Sequence, residues 1–564
     1  MRFTRKFVIS ACLAVAATTL SACSTSKNNV TSASSAPAPK LVVLLVVDGL
    51  PMWQVTSYES QFAKDGFRRF LDRGATYNNA YFNFARTVTA AGHATILTGA
   101  YPNRTGIIDN EWRDTNTWQV VYNTEDAAHT YIDHITPPLS GTSPKNLRAE
   151  TLGDVLKRVS PQSKVIAISA KDRGAILPAG KLGTAYMYMN TTGKFASTTY
   201  YMAAHPQWVT DYQANSPTDR YFNKTWNPLL AESAYKQSSP DGASWQVDGA
   251  MAKLPMFFGN SAPDATPTRA FYARLLQSPF GNEITLDFAR AAIQGEALGA
   301  DSAPDILSIS LSSHDYVNHA WGPESRLSHD HLLWLDRALE KFFVDLDARI
   351  GRDNYVAVLT ADHGFTLTPE YAKSIGKDAG RANISLIGGR LNIELEKKYG
   401  EGKWVRGFSS NMVVLNHALL REKNVDAAMM ERDASQYLKT EPEIITALTR
   451  TELINGTVDS AAPFGTLLKN SFFAERSGDV AYVLKRYWFA NTRTAGSTHG
   501  SPHDYDRHVP ILLYGAPWVT PKRHDEAVEV TDIAPTLAAI LKIAAPAQSQ
   551  GKVLPQLNAR QSIR

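Results

Sequence analysis

Cysteine is nearly absent from the 564-residue sequence: it has only Cys12 and Cys23, both close to the N-terminus. The rest of the chain has no disulfide to stabilise it, so core burial or bound metal must do so. A large excess of one charge is also lacking. The net charge of +4 is too small on this length to indicate nucleic acid as a specific partner. The length itself is enough to bury a large core and to carry long insertions.

Long apolar runs are absent after the first 20 residues, so no transmembrane helix is predicted there. Residues 1–22 combine three basic residues with an apolar run over 7–20 and then small residues, which predicts an export signal. The segment 20–23, Leu-Ser-Ala-Cys, resembles the lipobox of bacterial lipoproteins. Two outcomes stay open: a lipid anchor at Cys23, or a plain signal peptide cut nearby. Both predict an exported protein, either periplasmic or secreted.

The composition divides the remaining chain into a tether and a large domain. Residues 23–40 are rich in Ser, Thr, Ala and Pro and lack periodicity, which predicts a flexible tether. We expect a catalytic domain over 41–545 and a C-terminal tail over 546–564. Two stretches, about 180–300 and 366–490, interrupt the pattern of the domain. We interpret both as insertions that cap or rim the site.

Short apolar runs that end near polar residues recur along the domain. They cover residues 41–47, 164–170, 305–311, 355–359 and 509–515. Continuous apolar runs of this length are typical of strands buried on both faces. Helical periodicity separates them, most clearly over 331–350. The alternation predicts an α/β fold with a mostly parallel central sheet flanked by helices, and with ligands bound beyond the carboxyl ends of its strands.

Ionisable residues follow four of these five runs, and they include a candidate metal-binding set. Its members are Asp48, Asp315, His319, Asp362, His363 and His499. Mixed nitrogen and oxygen ligands of this kind suit zinc, and an incomplete shell leaves positions for substrate or water. His503 and His508 compete with His499 for the last ligand position.

Thr89 directly precedes a predicted helix over residues 90–97, so its oxygen would lie at the positive end of the helix dipole. An N-cap role is compatible with that position. Spacing alone does not distinguish Thr89 from Thr87 and Thr95 as a candidate nucleophile.

Five segments together resemble the alkaline phosphatase superfamily. They are Asp48-Gly49, residues 89–95 (TAAGHAT), 106–110 (GIIDN), 362–364 (DHG) and 499–502 (HGSP). Within that superfamily the chain is similar to single-chain bacterial alkaline phosphatases of the PafA and PhoK type, from about residue 41 to about residue 541. The resemblance implies an alkaline phosphatase-like fold and hydrolysis of small phosphate monoesters, with release of inorganic phosphate.

The resemblance also implies two zinc ions and a threonine nucleophile. The ligands that it implies are Asp315, His319 and His499 for one ion, and Asp48, Asp362 and His363 with the Thr89 oxygen for the other. Thr89 would attack phosphorus and form a phosphothreonine that water then hydrolyses. A further structural Ca²⁺ in an acidic loop stays open, with no residues assigned to it.

Lys171 and Arg173 follow a predicted strand at the active edge, and the resemblance assigns such a pair to the non-bridging phosphate oxygens. With the Asn110 amide they would contact the three charged oxygens of a monoester. A diester has one charge fewer and a second organic group, so a monoesterase is favoured. The alternatives are a nucleotide pyrophosphatase/phosphodiesterase with the same metal site, and a lipoprotein that binds zinc or phosphate without turnover. The sequence assigns no physiological substrate and no oligomeric state.

Overall fold

The computed structural model describes residues 36–555 except 263 and 491–493. The predicted export signal, Cys23, most of the tether and residues 556–564 of the tail lie outside the described residues. No helix in the described part of the chain is long and apolar enough to cross a membrane.

The strands, in chain order, are β1 (Leu41–Val47), β2 (Ala75–Tyr77), β3 (Ala80–Tyr81), β4 (Glu111–Arg113), β5 (Val120–Tyr122), β6 (Val165–Ser169), β7 (Thr184–Met189), β8 (Lys194–Ala196), β9 (Lys224–Trp226), β10 (Met256–Phe258), β11 (Asp305–Leu311), β12 (Tyr355–Thr360), β13 (Gly380–Ala382), β14 (Val405–Ser409), β15 (Met412–Leu415), β16 (Ile444–Thr449), β17 (Val480–Leu484), β18 (Trp488–Ala490), β19 (Ile511–Tyr514), β20 (Lys522–His524) and β21 (Val528–Glu529).

The α-helices are α1 (Met52–Ser57), α2 (Phe67–Arg73), α3 (Thr89–Thr98), α4 (Pro102–Thr105), α5 (Leu152–Val159), α6 (Asp172–Ala179), α7 (Gln207–Ala214), α8 (Arg269–Leu275), α9 (Pro279–Gly295), α10 (Ser313–Trp321), α11 (Arg326–Ile350), α12 (Pro369–Ser374), α13 (Ile384–Tyr399), α14 (His417–Glu422), α15 (Ala427–Leu438), α16 (Arg450–Asn455), α17 (Gly465–Ser471), α18 (Asp504–Arg507) and α19 (Ile533–Leu541). Short 3₁₀ helices cover Glu59–Gln61, Pro217–Tyr221, Glu232–Tyr235, Gly249–Met251 and Val530–Asp532.

The central sheet of the described chain has nine strands in the order β20-β2-β19-β12-β1-β11-β6-β7-β8. β1 reads LVVLLVV, and all seven of its residues are buried, which requires that both faces of the sheet are covered there. One group of helices, α3, α5, α6 and α19, packs together, and α2, α9, α10 and α11 form another. The predicted α/β fold with a mostly parallel central sheet flanked by helices is confirmed.

Strand direction decides which loops reach the site. β1 pairs in parallel with β11 and β12, and β6 continues the parallel order. β19, which lies within the run predicted over 509–515, instead runs antiparallel to β12, with Ile511 opposite Thr360. Its amino end therefore lies at the edge where the parallel strands finish. The loop before β19, which carries His499, is brought to that same edge.

We interpreted the stretch 180–300 as an insertion that caps or rims the site, but the structure differs from this at both ends of the stretch. β7 pairs in parallel with β6, β8 adds the edge strand, and α9 contacts β6 and β11. These parts belong to the sheet and its helix layer rather than to a cap. The β7 sequence TAYMYM contains few of the aliphatic residues that mark the other buried strands, and its neighbourhood is polar, so the apolar-run criterion misses it.

The stretch 366–490 contains a separate four-stranded antiparallel sheet, β14-β15-β17-β16. This sheet and the helices α13 and α15 share a buried cluster that includes Leu391, Trp404 and Met430. The predicted outer bounds at 41 and 545 stay predictions. Beyond 545 the described chain still packs against the domain, since Leu554 is buried and its N–H donates to Thr536 Oγ1 at 2.8 Å.

Glu324 is a buried carboxyl group in the turn between α10 and α11, with 4% of its surface exposed. The Thr368 hydroxyl donates to its Oε1 at 2.5 Å. Burial raises the pKa of Glu324 to about 7, and hydrogen bonds from Thr368 only partly oppose that effect. The folded protein therefore binds a proton at Glu324 more tightly than the unfolded chain, whose ordinary value is 4.5.

We predict that the contribution of Glu324 to the free energy of unfolding falls by up to about 3 kcal/mol as the pH rises from about 5 to about 7.5. The sign follows because the folded state keeps the proton in this range while the unfolded state releases it. Glu324→Gln should remove this part of the pH dependence in urea unfolding of the metal-free protein. Glu475→Gln, at an exposed position, is the matched control, and an unchanged slope in Glu324→Gln would contradict the prediction.

Candidate active site

Three carboxylates meet at the carboxyl edge of the central sheet. Asp48 follows β1 directly, Asp362 lies two residues after β12, and Asp315 lies in the first turn of α10, just after β11. The strand register aligns the ends of β1, β11 and β12, so these segments begin side by side. All three carboxylates are almost completely buried.

The six predicted ligands fall into two groups. The groups are Asp315, His319 and His499, and Asp48, Asp362 and His363. Within each group, one ligand atom from every residue lies within 4.8 Å of the others. The groups adjoin, since Asp315 Oδ1 is 4.0 Å from His363 Nε2. The structure thus brings together the same two sets of three that the resemblance implies.

The three histidines share one tautomer. Each places Nδ1 close to a backbone carbonyl: His319 to Ser497 at 3.0 Å, His363 to Gly364 at 2.9 Å and His499 to Thr87 at 2.8 Å. A carbonyl only accepts, so Nδ1 carries the proton and the Nε2 lone pair is free to bind a metal. Burial lowers the pKa of His363 and of His499, which favours the neutral form that metals bind.

Several buried carboxylate oxygens in this site accept no hydrogen bond from the described residues. They are Asp48 Oδ1, Asp315 Oδ1 and Asp362 Oδ2. Burial, together with repulsion from Asp362 and Asp315, raises the pKa of Asp48 well above its ordinary value. Unpaired buried acceptors are costly, and a divalent cation in each group would provide their missing partner. The residues present therefore fit two metal ions.

Lys171 provides the positive charge between the two groups. Its Nζ lies 2.8 Å from Asp48 Oδ2 and 2.5 Å from Asp315 Oδ2. Burial opposes the charged ammonium, but the two carboxylates outweigh burial and raise the pKa of Lys171. Lys171 is the residue immediately before α6, so the strand-to-helix turn after β6 delivers it to the site.

Thr89 is the first residue of α3, next to the predicted start of the helix at residue 90. Its Oγ1 lies 3.5 Å from His363 Nε2 and 3.5 Å from Lys171 Nζ. The rival threonines point elsewhere, since Thr87 Oγ1 donates to Ser501 O and Thr95 Oγ1 to Ala91 O. Of the three hydroxyls, that of Thr89 is the one placed beside the ligand groups.

The remaining predicted phosphate contacts are Asn110, beside the start of α3, and Arg173, two residues after Lys171. Asn110 Oδ1 accepts from Ala90 N–H at 2.9 Å, which fixes the amide beside the start of α3. Arg173 is the second residue of α6, and its Nη1 donates to the Tyr122 hydroxyl at 3.1 Å.

The two histidines that compete with His499 for the last ligand position contact other backbone carbonyls. His503 Nε2 lies 2.9 Å from Leu484 O, and His508 Nε2 lies 2.7 Å from Asn78 O.

Sequence reasoning assigned no role to Arg86, which lies three residues before Thr89. Arg86 Nε donates to Asp109 Oδ2 at 2.8 Å, and Nη1 donates to Gly500 O at 3.2 Å. Asp109 and Gly500 are the chain neighbours of Asn110 and His499. Arg86 thus joins the Asn110 turn to the His499 loop. The sequence shows a basic residue close to the nucleophile motif, which could have marked Arg86 as a candidate. The residues that Arg86 contacts lie 23 and 414 positions away, so the sequence pattern does not reveal its role.

We predict that Gly500→Ala disturbs the group that contains His499. Gly500 has φ +106°, and a Cβ added there would lie 2.7 Å from Arg86 Nη1. Displacement of His499 should reduce bound metal from about two ions to about one per chain and lower phosphatase activity about 10- to 100-fold. Gly376→Ala is the control, because its φ is also positive but its Cβ would meet nothing within 4 Å. Elemental analysis and activity assays would contradict the prediction if Gly500→Ala matched the wild type in both.

The sequence and the fold match a phosphodiesterase family and several alkaline phosphatases. A family model described as type I phosphodiesterase / nucleotide pyrophosphatase matches residues 42–506. Alkaline phosphatase PafA from Elizabethkingia meningoseptica is 32% identical over 528 residues, which cover 93% of this chain and 95% of PafA. Alkaline phosphatase PhoV from Synechococcus elongatus is 34% identical over 529 residues, with 92% and 93% covered. The crystal structure of PafA matches with a TM-score of 0.84 at 30% identity, over 93% of this chain and 99% of that one.

The fold and the grouping of the ligands define a hydrolase of the alkaline phosphatase superfamily. Within that class, the chain belongs to the type I phosphodiesterase / nucleotide pyrophosphatase family, and it is similar over most of its length to alkaline phosphatases. The protein is a phosphatase.

Proposed function

We propose that the protein is an exported alkaline phosphatase that hydrolyses phosphate monoesters through a covalent phosphothreonine at Thr89, with two zinc ions, and releases inorganic phosphate. One observation carries the proposal: the Thr89 hydroxyl lies 3.5 Å from both His363 Nε2 and Lys171 Nζ, at the first residue of a buried helix. The ammonium group and the helix N-terminus favour negative charge on that oxygen, and a cation bound at His363 would favour it further.

The composition of the ligand groups supports zinc. Three carboxylates and three imidazoles that present Nε2 form a mixed oxygen and nitrogen set, which suits zinc better than Mg²⁺ or Ca²⁺. When bound, the two ions would supply the positive charge that stabilises an alkoxide on Thr89 and the oxygen of the departing alcohol.

The chain's own residues account for the bond changes. Thr89 Oγ1 loses its proton to solvent and forms a bond to phosphorus while the bond from phosphorus to the alcohol oxygen breaks, and that oxygen takes up a proton from solvent as the alcohol leaves. Water then cleaves the bond between Thr89 and phosphorus, which restores the hydroxyl and releases phosphate. Lys171 would be free to contact a phosphate oxygen once Asp48 and Asp315 coordinate cations instead of its ammonium.

Substrate preference depends on the number of donors around phosphorus. Lys171, Arg173 and Asn110 offer two cations and an amide, which match the three charged oxygens of a monoester. The alternative, a nucleotide pyrophosphatase/phosphodiesterase, follows from the description of the family model. It has less support, because PafA and PhoV, with 32% and 34% identity, are alkaline phosphatases.

We predict that Thr89→Ala keeps about two zinc ions per chain, because each ligand group retains its three carboxylate and imidazole residues. Activity should fall by at least about 10³-fold, because the nucleophile is removed. Acid-quenched wild-type enzyme should yield a phosphorylated peptide containing Thr89, and the variant should not. Thr95→Ala removes a buried hydroxyl on the same helix and is the matched control. Retained activity in Thr89→Ala would show that another group attacks phosphorus.

The reaction class is tested by comparing p-nitrophenyl phosphate with bis-p-nitrophenyl phosphate. The proposal requires a higher kcat/KM for the monoester. A strong preference for the diester would replace the proposed function with the alternative.

We further infer export from the basic residues and the apolar run at the N-terminus, with a lipid anchor or a released form as the two outcomes. In fractionated bacterial cells that express the full chain, the protein should lie outside the cytoplasm. If Cys23 is lipidated, wild type should sediment with membranes and Cys23→Ser should become soluble. A cytoplasmic location of the wild type would overturn the inference.

A further inference from the structure

The Tyr122 hydroxyl lies between two charged groups at the start of α6. Its oxygen is 3.1 Å from Arg173 Nη1 and 2.6 Å from Asp172 Oδ1. A guanidinium only donates and a carboxylate only accepts, so the directions are fixed: Arg173 donates to the hydroxyl, and the hydroxyl donates to Asp172. The Asp172 carboxylate therefore fixes the Tyr122 hydroxyl, and the hydroxyl in turn orients the Arg173 guanidinium.

Asp172 is itself fixed, and it binds the backbone N–H of Arg173 but not the guanidinium. Its Oδ1 accepts from the Arg173 N–H at 2.6 Å, and its Oδ2 accepts from Gly141 N–H at 3.0 Å. The guanidinium stays out of hydrogen-bond reach of the carboxylate, because Arg173 Nη1 is 3.9 Å from Asp172 Oδ1. The hydroxyl is thus the contact that sets the direction of the guanidinium.

Most donors of Arg173 are left for a ligand. A guanidinium has five N–H donors. Arg173 Nε is buried and has no hydrogen-bond partner within the described parts of the chain, while the side chain as a whole is 19% exposed. A buried, unpaired charged donor is costly unless a ligand satisfies it. A phosphate oxygen would do so.

Tyr122 and Asn110 belong to the base of one hairpin, formed by β4 and β5. Glu111 pairs with Tyr122, so Asn110 adjoins that pair along the chain. Asn123 closes the base, since its backbone N–H and its Nδ2 both donate to Asn110 O, at 3.2 and 2.6 Å. Movement of the hairpin base would therefore displace Asn110 and Tyr122 together.

The tip of the hairpin is also held. The Trp118 ring lies 5.4 Å from the Arg113 guanidinium and 5.2 Å from that of Arg406, which precedes Gly407 on β14 of the separate four-stranded sheet. Arg406 Nη1 also donates to Thr115 O at 2.8 Å. The hairpin is thus fixed at its tip by cation–π and hydrogen-bond contacts and at its base by Asn123.

We propose that the β4–β5 hairpin is a single scaffold for two phosphate contacts, Asn110 directly and Arg173 through the Tyr122 hydroxyl, and that Tyr122 is a positioning residue for monoester preference. This inference rests on the proposed function, because the contact of Arg173 with phosphate is itself proposed. A misdirected guanidinium loses the third charged oxygen of a monoester, whereas a diester has no equivalent charge to lose.

Tyr122→Phe tests the inference by removing only the hydroxyl. We expect kcat/KM for p-nitrophenyl phosphate to fall about 10- to 100-fold, with inhibition by inorganic phosphate weakened to a similar extent. The kcat/KM for bis-p-nitrophenyl phosphate should stay within about twofold. Tyr201→Phe is the matched control, because Tyr201 donates to Ile176 O at 3.4 Å, near the opposite end of α6. Equal losses on both esters in Tyr122→Phe would indicate a merely structural role and overturn the inference.

Arg173→Ala and the double variant separate this inference from the proposed function. We expect Arg173→Ala to lower the monoester rate selectively, and Tyr122→Phe to add nothing further in that background. Equal loss on both esters in Arg173→Ala would overturn the proposed role of Arg173. A selective loss in Arg173→Ala without one in Tyr122→Phe would leave that role intact and overturn the positioning by Tyr122.

Discussion

Crowding of buried negative charge at one sheet edge is the constraint on which the rest of the site depends. Asp48, Asp315 and Asp362 lie almost without solvent contact, and several of their oxygens lack a hydrogen-bond donor. Such a cluster is stable only if positive charge is placed among the carboxylates. Lys171 supplies part of it, and the tautomers of the three histidines leave lone pairs suited to cations for the remainder.

The sequence was sufficient for the part of this arrangement that depends on local order. An apolar run buried on both faces predicts a central strand, and the residue after it predicts a position at the carboxyl edge, which places Asp48 and Asp362. His499 could not be placed in this way. It reaches the edge because β19 runs antiparallel, and strand direction depends on pairing with β12, which no local pattern encodes.

Side-chain orientation was the second property that the sequence patterns could not predict. Thr87 and Thr89 are equivalent by spacing, and their hydroxyls become distinct only through the distant partners Ser501 and His363. Arg86 and Tyr122 were missed for the same reason. Their roles come from contacts with residues 23 to 414 positions away, to which neither composition nor periodicity responds. The resemblance to the alkaline phosphatase superfamily identified Thr89 as the candidate nucleophile, because the motif over residues 89–95 reflects packing that the family shares.

Lys171 and Arg173, the two cations that we propose as phosphate contacts, are held by different kinds of group, which suggests different roles for them. Lys171 is paired with Asp48 and Asp315, carboxylates that cations would coordinate, so its ammonium would become available to phosphate once cations filled the ligand groups. The Arg173 guanidinium instead donates to a neutral hydroxyl that belongs to neither ligand group. Under the proposed function, Lys171 would couple phosphate binding to metal loading, whereas the hairpin would orient Arg173 through the Tyr122 hydroxyl. A fixed planar donor is what discriminates three charged oxygens from two.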